Sequence, residues 1–168
     1  MSTREITLCG PKGAGRFALV DAADYELVSA YRWNLFETDR GDGRRPSGPY
    51  AHTSVRGKQL FMHKLITGYA RTDHINHDGL DNRRSNLREA TVAQNCYNRR
   101  LRSDARSAYK GITWVPRNNR WIARITVDGK VRHLGTFRSE IAAALAYDDA
   151  AMKLHGKYAY MNFHVADT

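Results

Sequence analysis

Asp73-His74-Ile75-Asn76-His77, followed by Asn86 and then Asn95, is the stretch on which the reading of this chain turns. Twelve positions separate His74 from Asn86, and nine separate Asn86 from Asn95. An imidazole has a pKa suited to taking a proton from water near neutral pH. Asp73 offers a hard carboxylate oxygen for Mg²⁺ or Mn²⁺, and the side-chain carbonyl of Asn95 offers a second. Neighbouring residues of a strand point to opposite sides. Asp73 and His74 can therefore serve metal and water separately only if a loop and a returning helix follow the strand. The turn pairs Asp78-Gly79 and Asp81-Asn82 supply the loop, and Thr91 opens a helix bearing Asn95.

The rest of the chain fits a partner of opposite charge. Its 168 residues carry a formal net charge of +10 and a pI near 9.9, which points to a polyanion. Residues 1–100 hold 16 Lys/Arg against 11 Asp/Glu, and residues 101–168 hold 11 against 6. The excess is equal in the two parts, so both are expected to touch the same polymer. Only Cys9 and Cys96 occur, without CxxC spacing, which argues against a zinc ribbon or a disulfide framework and for a reducing, cytoplasmic setting. No signal peptide is recognisable, and no apolar run approaches the roughly 20 residues of a membrane span.

Ile6-Thr7-Leu8 and Phe17-Ala18-Leu19-Val20 read as short strands, and Asp21 as the cap of a short helix carrying Leu27 and Tyr31. Residues 38–49 form a polar, Gly- and Pro-rich loop. A hairpin follows, from Tyr50 to Val55 and from Gln59 to Met62, turning at Arg56-Gly57-Lys58. Polar residues 103–108, flanked by Arg99, Arg100, Arg102 and Arg106, mark a basic linker. Three strands are expected near 110–115, 120–127 and 130–136, with turns at Asn118-Asn119 and Asp128-Gly129. An alanine-rich helix from Ser139 to His155 ends at Gly156.

Asp73 to Arg88 with Gln94-Asn95 resembles the HNH homing endonucleases of phages and introns, in their His-Asn-Asn form. The resemblance implies the ββα-metal (His-Me finger) fold, in which a two-stranded ribbon and a helix grip one divalent ion, Mg²⁺ or Mn²⁺. By position, His74 becomes the general base, Asp73 and Asn95 the metal ligands, and Asn86 the amide that braces the loop and orients His74. Asn95 departs from the commoner histidine at its position. His63, His77 and the phosphate-clamp candidates Arg83, Arg84, Arg88, Arg99 and Arg100 surround this set.

Lys110-Gly111-Ile112, Trp121 to Ile125, Leu134 to Phe137, Ala142 to Asp148, Gly156 and Asn162-Phe163 resemble the plant Apetala-2 (ethylene-response-factor) DNA-binding domain. That family implies a three-stranded antiparallel sheet packed on one helix, with its open face in the major groove. Alternation on the second strand puts Trp121, Ala123 and Ile125 on one face and Arg120, Ile122, Arg124 and Thr126 on the other. Lys110, Arg117, Arg120 and Arg124 are the first DNA-contact candidates, with Thr113, Thr126 and His133 beside them. Thr113 and Val115 stand where plant members carry base-reading arginines.

The expected organisation is α+β. An endonuclease domain spans 1–102 with its motif core near 63–100, a linker 103–108, and a DNA-binding domain 109–168. The expected activity is metal-dependent hydrolysis of double-stranded DNA, nicking as a monomer, with double-strand cleavage requiring a dimer or two events. The rival is a DNA-binding transcriptional regulator with an inactive HNH domain. An RNA-binding basic protein would explain the charge but neither motif.

Overall fold

The computed structural model describes residues 2–38, 47–101 and 105–163. The chain divides into two compact units, Met1–Ala90 and Thr91–Thr168. The architecture is mixed α/β with four small antiparallel sheets among the described residues. The loop expected at 38–49 falls largely outside the described residues, as do Arg102 and the first two residues of the 103–108 linker.

In the first unit, β1 (Thr3–Thr7) pairs with β2 (Phe17–Asp21). A 3₁₀ turn and α1 (Tyr25–Ser29) follow. Leu27 is exposed, and Tyr31 lies beyond the helix. Asp21 makes no side-chain cap. Its carboxylate instead accepts the backbone N–H of Arg84 at 2.8 Å, a long-range donor that local sequence cannot reveal. β3 (Asn34–Thr38), β4 (Ser47–Val55) and β5 (Lys58–Phe61) form a meander. Its expected hairpin turns at Arg56 and Gly57, with φ of 50° and 75°, values that match the strand twist.

α2 (Met62–Thr67) ends at Gly68 in the left-handed region, and Gly68 N–H closes on Lys64 O at 2.9 Å. The last two strands of the unit, β6 (Thr72–His74) and β7 (Leu87–Glu89), make a ribbon with Asp73 opposite Arg88 and His74 opposite Leu87. Ala18, Val20, Val28, Trp33 and Met62 are essentially sealed from solvent. Trp33 satisfies its indole N–H on Val28 O at 2.8 Å, so the largest core side chain buries no orphan donor.

The second unit opens with α3 (Val92–Tyr97), started by a reciprocal capping box between Thr91 and Gln94. α3 is the helix expected to bear Asn95. The division after Ala90 places it with the carboxy-terminal fold, ahead of the expected 103–108 linker. Its anchors explain the grouping. Tyr97 stacks on His155 at 3.8 Å between ring centroids, and Lys110 Nζ donates to Tyr97 O and Arg99 O at 2.6 and 2.7 Å.

β8 (Ile112–Val115), β9 (Arg120–Val127) and β10 (Lys130–Phe137) form the expected sheet, with β9 central. Asp128-Gly129 makes the tight turn, with φ of 51° and 75°. α4 (Glu140–His155) starts on the Ser139 cap and ends at Gly156. It lies on the sheet through Ala143, Ala144 and Ala151, which are fully buried. At Gly111 (φ +80°) a Cβ would enter the Tyr147 ring, so only glycine lets the sheet approach the helix there. Asp148 accepts the N–H groups of Asn162 and Phe163, each at 2.9 Å, and pins the end of the described chain. Among the described residues no helix is long and apolar enough to cross a membrane.

Candidate active site and nucleic-acid interface

The loop after β6 is built from short polar side chains that satisfy its own backbone. Asn76 Oδ1 accepts Asp78 N–H, and Asp78 Oδ1 accepts Leu80 N–H, at 2.8 and 2.9 Å. Such Asx turns fix a chain too short for regular structure. Asn86 joins the two sides of the loop. Its Oδ1 accepts Asn76 N–H at 2.9 Å, and its Nδ2 donates to Asp81 O at 2.8 Å. β2 fastens the loop from outside: Leu19 N–H donates to Leu80 O at 2.8 Å and Leu19 O accepts Asn82 N–H at 2.7 Å. Gly79 has no room for a Cβ because the Tyr50 ring and Pro49 O press against it.

His74 ends β6 inside this frame and is 7% exposed. Its Nε2 meets Asn82 Oδ1 at 3.3 Å. The orienting amide recorded for the imidazole is thus Asn82, while both ends of Asn86 bond backbone groups. The His63 ring stands edge-on to His74 at 5.2 Å and 89°, and Tyr50 lies at 5.7 Å. Burial lowers the His74 pKa, opposed by the Asn82 bond and the Asp73 charge. His63, on α2 and buried, is pushed down to about 3 by desolvation and then by His74 and Lys64. Its Nδ1 has no hydrogen-bond partner among the described residues. Neither Asn82 nor the aromatic wall stood out in the sequence, although Asn82 falls inside the quoted motif. His77 takes a positive φ of 65° in the loop.

Asp73 is 4% exposed, and its Oδ2 accepts Arg88 Nε and Nη2 at 2.8 and 2.6 Å. Asn95 is exposed on α3 of the second unit. Among the described residues, no group of three or more His, Cys, Asp or Glu is arranged to hold a metal ion. The expected donor set, one carboxylate and one amide oxygen, is by chemical type the kind that Mg²⁺ or Mn²⁺ takes. It does not suit a closed zinc site.

Three of the five arginines expected to clamp phosphates, Arg83, Arg84 and Arg88, pair with acids of the first unit. Arg83 forks onto Asp81 at 2.8 and 2.6 Å and holds that carboxyl below its usual range. Arg84 forks onto Asp24 at 2.8 and 2.7 Å and donates to Ile66 O at 3.0 Å. Arg88, 11% exposed, is bound to Asp73. Each is paired with a nearby buried acid, yet only Arg88 is withdrawn from solvent, since the Arg83 and Arg84 side chains stay 38% and 55% exposed.

The register of the carboxy-terminal sheet defines its open face. Arg124 stands opposite His133, Thr126 opposite Val131, and Ile122 opposite both Thr113 and Thr136. Arg124, Thr113, Thr126 and His133 are exposed there, as expected, whereas Ala123, Ile125 and Val127 are buried toward α4. Arg120 is half-buried and donates to Asn119 O at 2.9 Å, and Arg117 is exposed on the β8–β9 turn. Val131 and Thr136 complete the face, and cross-strand pairing was the signal that could have found them. Lys110 does not join it. Its ammonium is spent on the two carbonyls at the end of α3, and burial with the charge of Arg99 pushes it down to about 8. Arg99 and Arg100 are exposed, with Arg99 Nη2 at 3.3 Å from Cys96 Sγ. Trp121 packs beside Trp114 and into the core, as the alternation required.

No family model matches the chain. A protein of Acanthamoeba polyphaga mimivirus named as an uncharacterized HNH endonuclease is 30% identical over 161 residues, covering 94% of this chain and 80% of its own length. APETALA2-like protein 2 of Oryza sativa is 44% identical over 61 residues, 36% of this chain. An AP2-like ethylene-responsive transcription factor of Arabidopsis thaliana is equally similar over 61 residues. The chain spans only 14% and 13% of those two plant proteins.

Proposed function

The chain belongs to the HNH endonuclease family, and on that premise we propose that it hydrolyses phosphodiester bonds of double-stranded DNA. The observation that carries the reading is His74, a buried imidazole held by Asn82 beside the Asp73 carboxylate, in a loop braced across its neck by Asn86. His74 takes a proton from water. The water oxygen then attacks phosphorus, and the P–O3′ bond breaks to leave 5′-phosphate and 3′-hydroxyl ends. Asp73 and Asn95 would hold one Mg²⁺ or Mn²⁺ ion, whose charge would stabilise the departing 3′ oxygen. Asn86 keeps the loop in register, so that Asp73 and His74 present different sides of one short strand.

The open sheet face docks on duplex through Arg124, Arg120, Arg117 and His133, with Thr113 and Thr126 as polar neighbours. A guanidinium there can bond guanine edges or phosphates. Docking raises the local concentration of substrate at the nuclease half. One active centre per chain fits nicking by a monomer, and the homing role follows the family likeness.

His74→Ala should bind DNA as wild type does and fail to nick supercoiled plasmid in Mg²⁺. Undiminished cleavage by that variant would refute the mechanism. A second reading, a DNA-binding regulator with an inactive nuclease half, is favoured by the Arg88 fork on Asp73, which engages the carboxylate that would hold a metal. Nicking with Mg²⁺ or Mn²⁺ against an EDTA control separates the two.

A further inference from the structure

We propose that the open face of the β8–β10 sheet selects thymine, through a patch of side-chain methyls that meets the C5-methyl groups of A·T pairs in the major groove. The inference rests on the docking of that face on duplex DNA and adds which bases it prefers.

An antiparallel sheet with one face on a core normally turns polar side chains to water on the other. This sheet does not. Val131 is 66% exposed, more than any other large hydrophobic side chain among the described residues. It stands opposite Thr126, which is also exposed. Half-buried Ile122 lies at the centre of the face, with exposed Thr113 opposite on one side and exposed Thr136 on the other. Ile122 and Thr126 flank Arg124 along β9, two positions to either side. A row of three strands is roughly 10 Å across at the usual spacing of about 4.8 Å, which suits a major groove about 12 Å wide.

Polar groups on the face are partly spent on one another. Arg120 Nη1 donates to Asn119 O at 2.9 Å, and the Thr136 hydroxyl lies 3.4 Å from His133 Nε2. Arg124, opposite His133, is the cation at the middle of the patch. None of the three strands contains Asp or Glu, so phosphate meets no like charge on them. Of the four bases, thymine alone shows a methyl at its major-groove edge. Cytosine shows a donor there and guanine two acceptors, which a methyl would strip of water without replacing it. A·T pairs therefore match the patch, while Arg124 holds a phosphate or a guanine edge beside them. The same contact separates DNA from RNA, whose uracil lacks the methyl.

The test titrates full-length protein, by fluorescence anisotropy, with two duplexes of equal length: alternating dA-dT and alternating dA-dU. Deoxyuridine deletes the methyl and keeps the charge and the base pairing. A buried methyl is worth roughly 4-fold in affinity. With two or more met at once, wild type should bind dA-dT about 10-fold tighter than dA-dU. Thr113→Ser combined with Val131→Ser removes methyls from the protein side instead. In that variant the ratio of the two affinities should fall towards one. Equal binding of the two duplexes by wild type overturns the proposal, and so does a ratio that the double variant leaves unchanged. Failure of the docking reading looks different: Arg124→Ala would bind both duplexes as wild type does. Affinity lost in Arg124→Ala, with no distinction between dA-dT and dA-dU in wild type, sinks the thymine preference and leaves docking standing.

Discussion

Asp73 and Arg88 face each other across the β6–β7 ribbon, and Arg88 gives both Nε and Nη2 to a single oxygen, Oδ2. Both side chains are nearly sealed from water, at 4% and 11% exposure. Removing one partner leaves a buried charge uncompensated. Arg88→Met should therefore destabilise the protein by about 3–5 kcal/mol in urea unfolding. A loss below about 1 kcal/mol would mean that the pair is solvated.

His63 sets a pH dependence. Its pKa is near 3 in the folded protein against 6.5 for the unperturbed imidazole. Between those values the unfolded chain binds a proton that the folded chain excludes. Stability is therefore flat above the unfolded value and falls as pH drops through it. His63→Phe should reduce the slope of unfolding free energy between pH of about 6 and 4 by up to ~1.4 kcal/mol per pH unit. Parallel slopes for variant and wild type would remove His63 as the cause.

On the sheet, Arg124 and Lys110 should behave oppositely. Arg124→Ala should weaken duplex binding by about 1–3 kcal/mol and flatten its salt dependence, read by fluorescence anisotropy over a salt series. Lys110→Met should leave both nearly unchanged while lowering thermal stability, because its ammonium bonds Tyr97 O and Arg99 O. A large loss of DNA affinity in Lys110→Met would show that the amine turns outward to phosphate.

Gly79→Ala should cost about 1–3 kcal/mol from overpacking against Tyr50 and slow nicking, since Tyr50 also packs on His74. Thermal melts and single-turnover rates report the two effects. A variant that melts and cuts as wild type does would show that the loop shifts freely.

What local rules govern was legible from the chain. The alternation along Arg120–Val127, the Asp128-Gly129 turn, the helix start at Thr91 and the Ser139 start all follow from neighbours a few positions apart. What distant partners decide was not. The fork of Arg84 on Asp24, sixty positions away, has no local signal. Asp21 looked like a cap until the Arg84 backbone reached it. Lys110 reads as a surface cation, and only the carbonyl ends of α3 explain its inward turn. In the motif, two asparagines four positions apart are chemically alike, so only coordinates separate Asn82 at the imidazole from Asn86 at the loop neck.

The two Leu19 bonds that bracket residues 80–82 run entirely through main-chain atoms. Such a fastening is indifferent to the side chain it passes beneath, so position 19 can drift among residue types without loosening the loop. Proline alone would cut it, having no N–H to give. A scan of substitutions there should read as permissive everywhere except that one.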